Sequence, residues 1–214
     1  MATDSDDDYY FLGSAMSAAA DSDKNTDQST PLDLDLTGYF AALAPVENPV
    51  VKIINTPEQE RKLSEEAVIG ESKLTSNGFF VRINEAAPRR RPRNTPPVIL
   101  VIEDDDTTAA VIVSALESNN YKVTRAGTRQ QIVDGMKLAP DLVLLDVMLP
   151  DANGFDVLAR MHGARDFADT PVLMLTSLGA LDDILKGLKL GANGYLTKPA
   201  KSKALLDAIK QVLA

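Results

Sequence analysis

The stretch LVLLDVMLPDANG, residues 142–154, decides how the rest of this chain is read. Its apolar run stops abruptly at Asp146, and a polar loop with Pro150, Asn153 and Gly154 follows. A short apolar run bounded by turn residues is the pattern of a strand buried on both faces. Asp146 then falls at the carboxyl edge of a parallel sheet, where open α/β folds keep their ligand sites. An acid that merely ends a strand is common, so the weight falls on what else reaches that edge.

Working outward, the same pattern repeats. Val98 to Ile102 reads as a buried strand, followed by a helix from about Thr107 to Glu117. A short strand is expected over Tyr121 to Arg125, then a helix from Thr128, with a Thr128/Gln131 capping box. Beyond Gly154 come a helix with Phe155, Leu158 and Met161, a strand over Val172 to Leu175, and a helix with Leu181, Ile184, Leu185 and Leu188. Gly194 to Thr197 and Ser202 to Leu213 complete the series. Strict β-α alternation with short loops predicts a five-stranded parallel sheet with helices on both faces.

The strand ends can now be compared. The first ends in Glu103-Asp104-Asp105-Asp106, the third in Asp146, the fourth in Thr176-Ser177 and the fifth in Thr197-Lys198-Pro199. A parallel sheet brings these ends to one edge: several carboxylates, a hydroxyl and an ammonium. Crowded carboxylates repel, so a divalent cation is expected, and all-oxygen ligands favour Mg2+. Asp146, open at a strand tip, has the chemistry of a carboxylate nucleophile towards phosphorus. The metal and Lys198 would neutralise the transferred group, and Thr176 would donate a hydrogen bond to it.

Composition narrows the alternatives. The 214 residues are 44% apolar, contain no cysteine and one histidine, and carry a net charge of −9. No thiolate site or Cys nucleophile is available, and a lone His162 argues against a multi-histidine zinc site. His162 itself reads as a surface residue rather than a phosphotransfer histidine. The negative charge argues against general nucleic-acid binding. No membrane span or secretion signal is legible, which favours the cytoplasm. A haloacid-dehalogenase phosphatase would need a second Asp two residues after the first, where Met148 stands.

With these residues in place, positions 97–214 resemble the receiver domain of two-component response regulators. VILVIEDDD resembles the family's acidic first strand end, LVLLDVMLPDANG its phosphoacceptor strand and loop, PVLMLTS its hydroxyl strand and GANGYLTKP its lysine strand. The resemblance implies a flavodoxin-like sheet of order 2-1-3-4-5. It implies Asp146 as phosphoacceptor, with Lys198 and Thr176 contacting the phosphoryl group. Asp104, Asp146 and the Met148 backbone carbonyl would bind Mg2+ directly, and Glu103 through water. Tyr195 falls at the aromatic position that rotates as Thr176 moves, and Lys198-Pro199 at an often cis bond.

Such a protein is not a turnover enzyme: it catalyses its own phosphoryl transfer and slow dephosphorylation. Its implied partners are a sensor histidine kinase or histidine phosphotransfer protein and an output protein, with a homodimer as a further option. Asn153 replaces the usual Asp, and Ala200 the common Phe after Lys-Pro, which removes a packing group from the face many members use for dimerisation or output.

The preceding residues divide three ways. Residues 1–36 read as a disordered acidic tail, with a Tyr9-Tyr10-Phe11-Leu12 island as a candidate docking motif. Residues 37–87 read as a small β-α-β segment: a strand near Val50 to Ile54, a helix from Thr56-Pro57-Glu58-Gln59 to about Ile69, and a strand from Phe79 to Ile83 after an Asn77-Gly78 turn. It is small enough to need its neighbour or an oligomer. Residues 88–96, with Arg89 to Arg93, read as a linker. Because the last helix closes the sequence, any built-in output is expected before Val98. The alternative is therefore a transcription regulator whose N-terminal half and Arg89 to Arg93 bind DNA.

Overall fold

In the computed structural model, which describes residues 56–82, 95–150, 152–177 and 180–214, the first element is helix α1 (Pro57–Asn77). Thr56 accepts from the Gln59 N–H at 3.3 Å, and Gln59 Oε1 accepts from the Thr56 N–H at 2.8 Å, closing the expected capping box. The helix runs past Ile69. Leu63, Ala67, Gly70 and Leu74 form one buried stripe, so the side facing the protein continues for two more turns. Gly78, at φ 78°, ends it in the left-handed conformation, its N–H donating to Leu74 O at 3.0 Å.

Strand β1 (Phe79–Val81) follows, shorter than the expected reach to Ile83. The expected parallel strands are β2 (Val98–Ile102), β3 (Lys122–Ala126), β4 (Leu142–Asp146), β7 (Val172–Thr176) and β8 (Gly194–Thr197). Between β4 and β7 lies a small antiparallel hairpin, β5 (Met148–Leu149) with β6 (Ala152–Asn153). The sheet order is β1-β8-β7-β4-β2-β3. Counted among themselves the parallel strands run 2-1-3-4-5.

β1 is the addition. It pairs antiparallel with β8, Phe79 opposite Leu196, Phe80 opposite Tyr195 and Val81 opposite Gly194, and makes the sheet six-stranded. The α-β half of the expected β-α-β segment thus pairs with the main sheet. Its partner strand at 50–54, the tail 1–36 and the Arg89 to Arg93 run lie outside the described residues.

The helices are α2 (Asp106–Glu117), α3 (Arg129–Lys137), α4 (Gly154–Gly163), α5 (Leu181–Lys189) and α6 (Ser202–Val212). Alternate strand residues point to opposite faces. Leu100, Ile102, Val143, Leu145, Met174 and Tyr195 pack with α1, α3, α4 and α5; Ile99, Val101, Leu142, Leu144, Leu173 and Leu196 pack with α2 and α6. All of these strand residues are fully buried. The carboxyl ends of β2, β4, β7 and β8 are thereby set side by side on a rigid platform.

Candidate functional site

Glu103 and Asp104 follow β2, Asp146 ends β4, Thr176 ends β7 and Lys198 follows β8. The expected set is brought together. A carboxylate oxygen from each of Glu103, Asp104 and Asp146 lies within 4.8 Å of the others. Lys198 Nζ lies 2.7 Å from Glu103 Oε2 and 2.9 Å from Asp146 Oδ2. The lysine's backbone N–H donates to Thr176 O at 2.7 Å, tying the ends of β7 and β8 together. The Lys198-Pro199 bond is cis.

Burial within the cluster is graded. Glu103 is fully buried and Asp146 is 3% exposed, whereas Asp104 is open to solvent. The expectation of an exposed Asp146 is therefore corrected. Val147, itself buried, donates to Leu175 O at 3.1 Å and accepts from the Gly154 N–H at 3.0 Å, which draws the chain inward. The Met148 N–H donates to Asp146 Oδ1 at 3.1 Å, so both carboxylate oxygens have donors. The Met148 side chain is 74% exposed.

Burial pushes the Glu103 carboxyl above its ordinary range, and the Asp146 charge adds to this against the lowering effect of Lys198. Burial alone would lower the Lys198 ammonium; its hydrogen bonds and charge contacts with Glu103 and Asp146 outweigh that and raise it. Three carboxylates against one ammonium leave a surplus of negative charge. A compact all-oxygen donor set with excess negative charge fits a hard divalent cation.

Two roles were not foreseen. Arg125, near the end of β3, donates from Nη2 to Asp104 O at 3.0 Å and to Glu103 O at 3.3 Å, and its Nη1 pairs with Asp106 at 2.6 Å. It holds the backbone from which the acids project. The signal was a basic residue ending a strand beside an acidic run. Asp105 caps α2, accepting from the Thr108 N–H at 2.7 Å; hydrogen bonds from the Thr108 side chain and then from its backbone lower the Asp105 carboxyl.

Tyr195 is fully buried, and its hydroxyl donates to Asp183 O at 2.9 Å. His162 is half-buried rather than on the surface, Nδ1 3.0 Å from Leu190 O and Nε2 3.2 Å from Thr170 O. It joins loops and is no part of the acidic cluster.

Comparison with known proteins points to the same fold. Residues 99–210 match the response regulator receiver domain family. The DNA-binding dual master transcriptional regulator RpaA of Synechocystis is 44% identical over 91 residues, 39% of this chain and 38% of that protein. The phosphate regulon transcriptional regulatory protein PhoB of Pseudomonas aeruginosa is 39% identical over 103 residues, 46% of this chain and 44% of that protein. The chain thus spans less than half the length of these curated relatives. The structure of chemotaxis protein CheY4 of Vibrio cholerae superposes with a TM-score of 0.53 at 26% identity, covering 56% of this chain and all of that one.

Proposed function

The chain belongs to the response regulator receiver domain family, and from that premise we propose that it serves a two-component phosphorelay through Asp146. The observation that carries the proposal is the ammonium of Lys198 within 3.0 Å of two buried carboxylates, Glu103 and Asp146. An Asp146 oxygen attacks the phosphorus of a phosphohistidine on a sensor kinase or phosphotransfer protein. The P–N bond breaks, the imidazole leaves with its electron pair, and an acyl phosphate forms.

Lys198 passes from the carboxylates to the phosphoryl oxygens, and the Thr176 hydroxyl donates to the same group. The Met148 N–H orients the attacking carboxylate. Asp104, Asp146 and the Met148 carbonyl would hold Mg2+ directly, with Glu103 acting through water. The cation, when bound, supplies charge neutralisation at the phosphoryl oxygens. Release to water returns the free carboxylate slowly, so the acyl phosphate persists as a signal and the protein is not a turnover enzyme. Tyr195 is the switch residue, and an output protein reads the change. Domain limits of 97–214 for the receiver and 88–96 for the linker belong to the same reading. The cytoplasm, where a kinase domain would meet it, is its proposed location; among the described residues no helix is long and apolar enough to cross a membrane.

Incubation of the full chain with acetyl phosphate and Mg2+ tests this by intact mass. The expected result is a gain of one phosphoryl group, absent in Asp146→Asn and absent with chelator. A gain of equal size in Asp146→Asn overturns it. A second reading takes its cue from RpaA and PhoB, a transcriptional regulator and a transcriptional regulatory protein: the N-terminal half with Arg89 to Arg93 binds DNA. Steep salt dependence of duplex binding would support it, and no binding at low salt would remove it.

A further inference from the structure

β8 carries Tyr195 and leads into Lys198, and the same strand is the one that β1 extends. Gly78 O accepts from Thr197 N at 3.0 Å and from Thr197 Oγ1 at 3.2 Å, one residue before Lys198. At the other end of the ladder, the Arg82 N–H donates to Asn193 O at 2.8 Å. The segment is also closed on itself: Glu66 pairs with Arg82 at 2.7 Å, and a Cβ on Gly70 would meet the Phe80 ring at 2.9 Å.

We propose that residues 56–82 form an intramolecular strap that holds Tyr195 in its buried seat, so that seating of the strap and loading of Asp146 are linked. This rests on the phosphoryl-acceptor reading above.

The packing makes the connection. Leu63, Ala67, Leu74 and Phe80 of the strap belong to one buried cluster with Ile184, Leu188 and Tyr195. Phe80 lies directly opposite Tyr195 across the antiparallel pair, so the two rings project from the same face as close neighbours. The Tyr195 hydroxyl donates into the first turn of α5, to Asp183 O at 2.9 Å and Ile184 O at 3.2 Å. It fits there because residue 187 is glycine; a Cβ would overlap the hydroxyl. A Tyr195 that leaves this seat gives up both bonds and opens a void beside Phe80 under α1. A void in a packed core costs free energy in proportion to its volume, so strap and seat favour each other. Lys189 of α5 also faces Glu60 of α1 at 3.8 Å.

If closing of Thr176 on the phosphoryl group favours the seated Tyr195 over any other position, the strap favours the loaded state, and loading tightens the strap to the same degree.

Hydrogen–deuterium exchange of the full chain, with and without Mg2+ and beryllium fluoride, reads both ends. On loading, amides of residues 79–81 slow by at least about fivefold, the lower end of typical coupling between sites. Loading that protects residues 146–149 but leaves 79–81 unchanged overturns the strap and spares the acceptor reading. No change at 146–149 overturns the acceptor reading and the linkage with it. Gly187→Ala, which evicts the Tyr195 hydroxyl, tests the seat without any ligand. Faster exchange at 79–81 with β4 protection intact supports the proposal, and parental exchange overturns it. Should β4 protection also fall, Tyr195→Phe keeps the ring, removes only the hydroxyl bonds and decides by the same criterion.

Discussion

At the tip of β8 an ammonium sits between two carboxylates, while along its outer edge the same strand is zipped to β1 and roofed by α1. The first region is held by charge and left unbalanced. Glu103 is buried in a form that burial itself disfavours, and Asp104 adds a further negative group. The second region is held by ladder bonds and apolar packing, and it is complete as it stands. An incomplete electrostatic site changes when a cation or phosphoryl group arrives. A complete apolar seat resists change and transmits it only by coming loose. The two regions meet within one short strand, which makes β8 the place to test whether they act together.

The largest expected effect separates platform from strap. Leu144, fully buried in β4, should cost about 2–5 kcal/mol when cut to alanine, read as a lower urea midpoint for the whole molecule. Leu74→Ala, in the strap, should instead accelerate exchange over residues 57–81 while β2 keeps its protection. An equal fall in the global midpoint for both variants would show that strap and platform unfold as one unit.

Next comes the charged tip. Lys198→Met should slow phosphoryl transfer from acetyl phosphate by about 10²-fold, the usual consequence of removing one preorganised donor. Unopposed carboxylates should at the same time bind Mg2+ more tightly in a titration. A rate within twofold of the parent would break the assignment of Lys198.

A smaller effect follows from protonation. The folded chain holds the Lys198 proton more tightly than the unfolded chain, whose lysine keeps the ordinary value of 10.5. The resulting stabilisation is full below that value and is lost as pH rises through the higher folded value. Thermal melts without divalent metal should therefore show an alkaline loss of stability that is reduced in Lys198→Met. The smallest effect is local to the platform. Thr128→Ala removes the α3 cap, whose hydroxyl accepts from the Gln131 N–H at 3.4 Å, and should cost about 1 kcal/mol in the same urea assay.

The acidic edge was legible in the chain because each of its residues ends an apolar run. β-α alternation predicts a parallel sheet but not its order; the resemblance to receiver domains supplied the order 2-1-3-4-5, and with it the meeting of Glu103, Asp104, Asp146, Thr176 and Lys198. What could not be read depends on contacts between distant positions. Asp146 looked open because no local signal tells that Val147 turns inward under the β5-β6 hairpin. α1 seemed to stop near Ile69 because Gly70 and the polar run to Asn77 hide the contribution of Leu74, which matters only once a sheet lies beneath it. The pairing of Phe80 with Tyr195 joins residues more than a hundred positions apart, and a three-residue strand carries no mark of its partner. Arg125 was passed over because a charged residue on an edge strand is ordinarily left to water.

The β1–β8 ladder also bears on how the protein can be cut. A fragment starting at residue 97 would lose the cover over Ile184 and Leu188 and leave the backbone of Gly194 to Leu196 without the partners it has here. Bare strand rims recruit other strands. A shortened version should therefore be the stickier molecule, self-associating in a sizing column where the full chain elutes cleanly, and protease trimming ahead of Val98 should be what converts one into the other.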